Sequence, residues 1–354
     1  MYQCTDSKQV QWRGPLWDRE RVDFDPFDGQ SRVPLGRSPA PSRTNEGRLH
    51  GERRLIIPIL NRPKDLRWKG RWGYGKIVIR ELVCSGLTRP YDIPRFLYEN
   101  FGYQAFHRKE LIPPLRMRGQ SGLYLIRDFK RIGNEFLKYY VDFCEPKPDE
   151  RVLDLGCGCG QMGILLAGFL SRDASYEGLD IDKNCIDWLE ENVSPKHPNF
   201  HFQYADIYNK FYNPTGKYEA ARYRFPYQDE SFDSLIAKSV FTHMLERDMD
   251  NYFSEIYRVL RKGGRCLITF FLLNSESTKL INEGKSTQEF IYDLGGCRTT
   301  DENTPEQAVA CSEESIRSFY EEHGLEIVEP IHLGSWCGRP SYLSYQEVVV
   351  ACKP

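Results

Sequence analysis

The chain has 354 residues, of which 40% are apolar and 28% are charged, and its formal net charge is −2. This length is sufficient for a full hydrophobic core, while the near-neutral charge gives no overall reason to expect a nucleic-acid partner. No run approaches the roughly eighteen apolar residues of a membrane span, and residues 1–6 lack the features of a signal peptide, so we predict a cytoplasmic protein without a membrane span.

The cysteines give no sign of a covalent framework. There are eleven of them, an odd number, and they form no paired C-x-x-C motif. We therefore predict reduced, packed thiols for most of them, with neither a disulfide scaffold nor a zinc ribbon, and we predict no metal site. Cys157 and Cys159 form a C-x-C, for which small side chains lining a crowded turn are a better explanation than a metal or redox role.

The N-terminal third differs in composition from the rest. Residues 1–50 mix charges with five prolines and show no sustained periodicity, which predicts a disordered or loosely docked arm. Residues 51–109 are predicted to form a small accessory segment with a short helix over Asp92–Gly102. Basic and aromatic residues interleave from Arg67 to Lys76, a pattern that can contact nucleic acid, meet an anionic membrane surface or anchor the arm across the domain. Anchoring is the preferred interpretation.

The third predicted unit spans residues 110–354, and from Arg151 onward strand and helical patterns alternate within it, which predicts a parallel sheet covered on both faces. A helix is predicted over Ile126–Cys144 from apolar residues at helical spacing. In the stretch Arg151–Ala167 a buried strand leads into glycines at alternate positions and then into an apolar helix. Such a turn binds a ligand that approaches the backbone closely, because a Cβ would obstruct that approach.

The glycines of this turn do not identify the ligand by themselves. Gly158, Gly160 and Gly163 have the G-x-G-x-x-G spacing of dinucleotide folds, in which a helix N-terminus holds a pyrophosphate. Asp154, two residues before Gly156, would repel a pyrophosphate but would attract a ligand with an ammonium group, such as S-adenosylmethionine. A capping aspartate beside a structural glycine turn is the remaining alternative.

Acidic residues also follow the next two strands. The second strand, Ser175–Asp180, ends in a carboxylate that can accept hydrogen bonds from both hydroxyls of a ribose. Ile181 and Asp182 open the next helix, where Asp182 is either a helix cap or a second ligand contact. The third strand is predicted over Phe200–Ala205 and is followed directly by Asp206.

Beyond the fourth strand, Ser234–Ala237, the chain enters the region where an open parallel sheet binds its ligands. Lys238 and the residues up to Met244 are therefore expected to face the reacting group. His243 is the candidate general base, because imidazole titrates near neutrality, although it could instead cap or pack a helix. The polar insertion Asn274–Cys311 is predicted to lie over the substrate side as a lid.

Taken together, these stretches resemble the type 11 domain of class I S-adenosylmethionine-dependent methyltransferases over about Glu110–Lys353. The resemblance is carried by Val152–Gly160, Tyr176–Asp182, Phe225–Asp233, Ser239–His243 and Arg258–Arg265. It implies an α/β, Rossmann-like, doubly wound seven-stranded sheet, mostly parallel with an antiparallel C-terminal hairpin, preceded by an N-terminal extension.

The resemblance also implies roles for single residues. The position after the third strand lies beside adenine in this family, so Asp206 is expected to accept from its amino group and Ile207 to form an apolar wall. Trp336 and Arg339, between the last two strands, either contact substrate or pack the hairpin connection. The predicted cofactor-binding residues are Asp154, Gly156, Gly158, Gly160, Asp180, Ile181, Asp206, Ile207 and Lys238.

The sequence thus predicts S-adenosylmethionine as the cofactor and an O-methyltransferase acting on a small polar acceptor, in the first place a hydroxyl of a sugar or glycan. One alternative is a methyltransferase of RNA or protein that grips its substrate with the basic aromatic arm. The lack of an Asn/Asp-Pro-Pro-Tyr tetrapeptide after the fourth strand counts mildly against that alternative. A protein that binds S-adenosylmethionine without catalysis is the third possibility.

Overall fold

The computed structural model describes residues 96–103, 107 and 110–354. The arm predicted for residues 1–50 and most of the accessory segment therefore lie outside the described residues. The described part opens with a helical segment that contains a π-helical turn, Tyr98–Gly102, at the end of the helix predicted from Asp92.

The longest helix of the described part lies where the sequence predicted it. The helix predicted over Ile126–Cys144 is observed with those bounds, and it buries Phe129, Phe136, Leu137 and Tyr140 along one side. No helix in this part of the chain is long and apolar enough to cross a membrane. In chain order the α-helices are α1 Leu115–Gln120, α2 Ile126–Cys144, α3 Gln161–Leu166, α4 Lys183–Asn192, α5 Glu246–Val259, α6 Ser275–Asn282 and α7 Glu313–Glu322.

The strands belong to two sheets. In chain order they are β1 Arg151–Leu155, β2 Ser175–Asp180, β3 Phe200–Tyr204, β4 Phe232–Ala237, β5 Leu260–Phe270, β6 Leu272–Leu273, β7 Tyr292–Asp293, β8 Cys297–Thr299, β9 Val309–Ser312, β10 Glu326–Ile327 and β11 Glu347–Cys352. The larger sheet has the order β10-β11-β5-β4-β1-β2-β3. Strands β1 to β5 are parallel, and β11 runs antiparallel to both β5 and β10. The predicted fold, a mostly parallel seven-stranded sheet with an antiparallel C-terminal pair, is confirmed.

The sheet is covered on both faces because successive strand residues point to opposite sides. In β1, Val152 joins a hydrophobic cluster with α2, α3 and α4, whereas its neighbour Leu153 joins a second cluster with α5 and α7. Both side chains are fully buried. Burial of a side chain of this size contributes about 1.5–3 kcal/mol, so the two apolar layers hold the carboxyl ends of the strands in fixed positions.

The insertion Asn274–Cys311 is more ordered than the sequence indicated. It contains α6 and most of a second sheet with the order β6-β9-β8-β7. Phe290 and Ala310 from this segment pack with Trp336 in a hydrophobic cluster of their own. The predicted polar insertion thus contributes to a small buried core, and its position as a lid over the substrate side stays a prediction.

A disulfide joins the insertion internally. Cys297 and Cys311 are paired residues on the antiparallel strands β8 and β9, and their sulfur atoms are bonded. The sequence analysis did not predict this bond, because the register of a hairpin that it had not recognised brings the two thiols together. Among the described residues the other cysteines are free thiols, as predicted for most of them: Cys144, Cys157, Cys159, Cys185, Cys266, Cys337 and Cys352.

Candidate functional site

The candidate site lies at the carboxyl ends of four adjacent parallel strands. Strands β4, β1, β2 and β3 are neighbours in that order. The residues that leave them are Lys238 after β4, the glycine turn after β1, Asp180 at the end of β2 and Asp206 after β3. The sheet therefore brings most of the predicted cofactor-binding residues to one edge.

The three glycines of the turn differ in what surrounds them. All have positive φ, at 69° for Gly156, 54° for Gly158 and 82° for Gly160. A Cβ at Gly156 would lie 2.3 Å from Val240 Cγ2, and a Cβ at Gly160 would lie 2.3 Å from Leu189 Cδ2. At Gly158 no heavy atom lies within 4 Å of such a Cβ. The outer glycines are thus required by packing, while Gly158 faces open space that a ligand can enter.

Asp180 connects the turn to the next helix. Its Oδ2 accepts a hydrogen bond from Gly158 N at 2.7 Å, and its Oδ1 accepts one from Asp182 N at 2.7 Å. Burial raises the pKa of the Asp180 carboxyl to about 6, against the opposing effect of these backbone donors. Each oxygen keeps a further lone pair, so the fixed carboxylate can still accept from a diol. Asp182 is the cap of α4, because its side chain accepts from Asn184 N and Cys185 N.

Asp154 lies deeper than a residue at the strand mouth. It is 2% exposed, and its Oδ2 accepts a hydrogen bond from Tyr176 Oη at 2.5 Å. Burial raises the pKa of its carboxyl to about 7, although the Tyr176 hydrogen bond and the charge of Lys238 oppose this. Burial lowers the pKa of Lys238 to about 8, and Lys238 Nζ donates to Gln161 Oε1. Burial thus moves the pKa values of both groups towards neutrality.

The third strand ends in one polar and one apolar candidate. Asp206 Oδ1 accepts from Tyr204 Oη at 2.7 Å, and its Oδ2 lies 3.1 Å from Lys217 Nζ. The Tyr204 hydrogen bond, and then that of Lys217, lowers the pKa of Asp206, which is therefore ionised. Ile207 is buried in the hydrophobic core, and the partly buried Ile181 packs against the same cluster. Asp206 is thus held by protein donors, while the two isoleucines supply apolar surface.

His243 lies on a short 3-10 turn, Phe241–His243, that follows β4. Its Nδ1 is 3.0 Å from the backbone carbonyl oxygen of Glu306. A carbonyl only accepts hydrogen bonds, so Nδ1 carries the hydrogen and Nε2 carries the lone pair. Nε2 lies 3.4 Å from Tyr212 Oη, and burial lowers the pKa of the imidazole. The ring is therefore a neutral base with a defined tautomer.

A polar network that no sequence motif indicated supports the chain after β4. Ser239 has a φ of 57°, a left-handed conformation that is unusual for a residue with a side chain. Its N–H donates to Thr269 Oγ1 at 2.7 Å, and its hydroxyl donates to Gln346 Oε1 at 2.9 Å. Because Thr269 also donates to Gln346, at 2.7 Å, this network links the ends of β4 and β5 to the residue before β11 and fixes the backbone beside Lys238.

Trp336 and Arg339 pack the connection before β11. The Trp336 indole is fully buried, and its N–H donates to Glu347 at 2.7 Å. Arg339 is 3% exposed and pairs with Glu347 at 2.9 Å and with Glu276 at 2.7 Å. The sequence left open whether Trp336 and Arg339 contact substrate or pack the connection, and the structure shows both of them packed.

Comparisons with known proteins agree with this geometry. A family model described as "Methyltransferase domain" matches residues 146–324, which is 179 of the 354 residues. Phosphoethanolamine N-methyltransferase 3 of Arabidopsis thaliana is 28% identical over 137 residues, 39% of this chain and 24% of that protein. O-methyltransferase cnsE of Penicillium expansum is 32% identical over 125 residues, covering 35% and 38%.

A third relative differs in the atom that its name gives as the acceptor. Botryococcene C-methyltransferase of Botryococcus braunii is 30% identical over 196 residues, covering 55% of this chain and 44% of that protein. The chain thus spans less than half the length of each of these three relatives. Their names include nitrogen, oxygen and carbon acceptors, so the three relatives share methyl transfer and differ in the acceptor atom.

Proposed function

The chain belongs to the methyltransferase-domain family, and we propose that it methylates a hydroxyl group of a small polar acceptor, in the first place a sugar or glycan. The class I fold of this family uses S-adenosylmethionine as the methyl donor. The hydroxyl is chosen because His243 is a half-buried neutral imidazole whose Nε2 can accept a proton. An alcohol nucleophile requires such a proton acceptor, whereas a neutral amine already carries a nucleophilic lone pair.

The residues at the strand ends fit S-adenosylmethionine. The open space at Gly158 admits a ligand close to the backbone, and the Asp180 carboxylate keeps lone pairs for two ribose hydroxyls. Lys238 offers a cation for the carboxylate of the methionine moiety, and Asp154 offers a carboxylate for the ammonium group of that moiety. Asp206 and the apolar Ile207 and Ile181 are proposed to line the adenine. When bound, the cofactor supplies an electrophilic methyl group on a sulfonium.

The protein contributes position and proton transfer. His243 Nε2 takes the proton of the acceptor hydroxyl as the oxygen forms its new bond, while the Glu306 carbonyl keeps Nδ1–H in place and stabilises the imidazolium that results. Holding the acceptor oxygen close to the methyl group of a bound cofactor would lower the barrier by up to about 7–11 kcal/mol. The proton of the hydroxyl would pass to the imidazole, and a bound cofactor would supply the methyl group that replaces it on oxygen, so atoms and charge would balance.

The other possibilities lack an observation of this kind. The basic aromatic stretch Arg67–Lys76, the grip of an RNA or protein methyltransferase, lies outside the described residues. The relatives' names include nitrogen and carbon acceptors, and these remain the outcomes against which the hydroxyl is tested.

The test uses labelled methyl donor and a set of purified sugars, polyols, amines and phenols, with products identified by mass spectrometry. We expect label on a hydroxyl oxygen, and we expect His243→Ala and His243→Gln to lower turnover about 100-fold without weakening cofactor binding. The control is His201→Ala, since His201 is an exposed residue of β3. Full turnover in His243→Ala on the same acceptor would contradict the assignment of the base.

A further inference from the structure

Glu306 has an unusual side chain next to the proposed base. It lies on the 3-10 turn Pro305–Gln307, is 8% exposed, and its backbone carbonyl accepts the hydrogen bond from His243 Nδ1. Its Oε1 accepts a long hydrogen bond, 3.4 Å, from Lys210 N. Its Oε2 is buried and has no hydrogen-bond partner among the described residues. The carboxylate therefore lacks a donor at one oxygen.

Such an oxygen calls for a physical explanation. Buried polar atoms in folded proteins almost always have a partner, and burial of a carboxylate without one is costly. A second such atom lies close by, since the Thr242 hydroxyl is fully buried without a partner on the turn Phe241–His243, which packs against the turn that carries Glu306. Two polar atoms for which the described residues supply no partner therefore lie on the two turns that the His243–Glu306 hydrogen bond joins.

The surrounding charges do not supply that donor. The pKa of Asp248, an acidic residue of α5, is raised mainly by burial and also by the charge of Glu306. No lysine or arginine side chain pairs with Glu306 within the described part of the chain. A ligand that brings hydrogen-bond donors to this position gains more than one that brings acceptors, because only donors satisfy a carboxylate.

We propose that Glu306 Oε2 is a specificity-determining group that accepts a hydrogen bond from a second hydroxyl of the acceptor, next to the hydroxyl from which His243 takes the proton. This inference rests on the proposed function and narrows its substrate class to vicinal diols, as found in sugars and polyols. Simple alcohols lack the second hydroxyl and leave the carboxylate unsatisfied, which is the kind of difference that a polar site discriminates strongly.

The position of Glu306 in its hairpin suits a role in acceptor recognition. Its turn lies in the hairpin between Cys297 and Cys311, whose ends are joined by the disulfide, so the base of the hairpin is fixed. Because Oε2 is buried, the acceptor enters by parting this turn from the chain at Lys210. The hydrogen bond that holds the two together is long and therefore weak, so it opens at low cost.

The test is a comparison of kcat/KM on methyl hexosides and on their matched monodeoxy analogues, with labelled methyl donor. Glu306→Gln is expected to lower kcat/KM on the diol about 10-fold and Glu306→Leu about 100-fold. On the analogue that lacks the neighbouring hydroxyl, the wild type and both variants are expected to be equally poor. The control, Glu302→Gln, changes an exposed carboxylate of the same hairpin and is expected to behave as the wild type.

Unfolding temperature without ligand separates recognition from structure. Both Glu306 variants are expected to unfold at the wild-type temperature or above it, because an unsatisfied carboxylate is removed. A drop of several degrees, or variants that keep the wild-type preference for the diol, would overturn the inference and leave the proposed function standing. If the wild type methylates amines or carbon and no hydroxyl, the proposed function fails, and the inference fails with it.

Discussion

Replacing Asp154 by asparagine tests the electrostatics at the centre of the site. The Asp154 carboxyl is buried, accepts from Tyr176 Oη and has a pKa raised to about 7. The unfolded value is near the ordinary 3.8. The folded protein therefore binds this proton more tightly than the unfolded chain, and the stability that the group contributes is fully present below pH 3.8 and is lost as the pH rises through 7.

The magnitude follows from these two pKa values. Between pH 5 and pH 8 the linkage relation gives a loss of about 2.6 kcal/mol of unfolding free energy in the wild type, and about 1.4 kcal/mol if the folded pKa is one unit lower. The asparagine side chain of the variant does not titrate, so this loss is absent there.

Urea unfolding at the two pH values measures the effect. The unfolding free energy of Asp154→Asn relative to the wild type is expected to rise by about 1.4–2.6 kcal/mol from pH 5 to pH 8, while its affinity for S-adenosylmethionine falls. Asp173→Asn, at an exposed turn before β2, is the control and should show no such change. A relative stability that is constant with pH would refute the account of a buried carboxyl with a raised pKa.

Three further changes have expected results. Gly158→Ala should cost about 1–2 kcal/mol of stability through its positive φ and weaken cofactor binding at least 10-fold in calorimetry. Gly156→Ala should cost more stability, because its Cβ would meet Val240. Equal losses of stability in the two variants would contradict the packing described. Cys297→Ser should lower the unfolding free energy by about 3 kcal/mol in urea titration. A reductant should not lower the stability of this variant further. A stability equal to that of the wild type would argue against the disulfide. The kcat/KM of the wild type should rise with pH through a pKa below 6.5 and level off near neutrality, because burial lowers the pKa of His243. A kcat/KM that keeps rising to alkaline pH would exclude His243 as the base.

Much of the main sheet could be predicted because its elements are long and regular. Helix α2 repeats its apolar residues over five turns, and its observed bounds, Ile126–Cys144, are the predicted ones. The glycine turn combines a buried strand, positive-φ positions and a helix start, which few other structures require together. Strand β5 begins at Leu260, before Gly263 and Gly264, which exchange backbone hydrogen bonds with Lys353.

The second sheet and the environment of His243 could not be predicted, because both depend on contacts between residues that no local sequence pattern marks. Strands of two to four residues, such as Tyr292–Asp293, contain too few positions to show a period of two. The contact between His243 and Glu306 joins residues 63 positions apart, and nothing local to either of them encodes it. The burial of Asp154 under Tyr176 likewise depends on the pairing of β1 with β2.

Calorimetric titration with S-adenosylmethionine tests the central claim most directly, with the wild type and Asp180→Asn measured side by side. Asp180 connects the glycine turn to α4 through Gly158 N and Asp182 N, and it is proposed to hold the ribose. The account predicts saturable binding of one molecule per chain in the wild type and a loss of at least 10-fold in affinity in the variant. A folded wild-type protein that does not bind S-adenosylmethionine, or a variant that binds it equally well, would contradict the account.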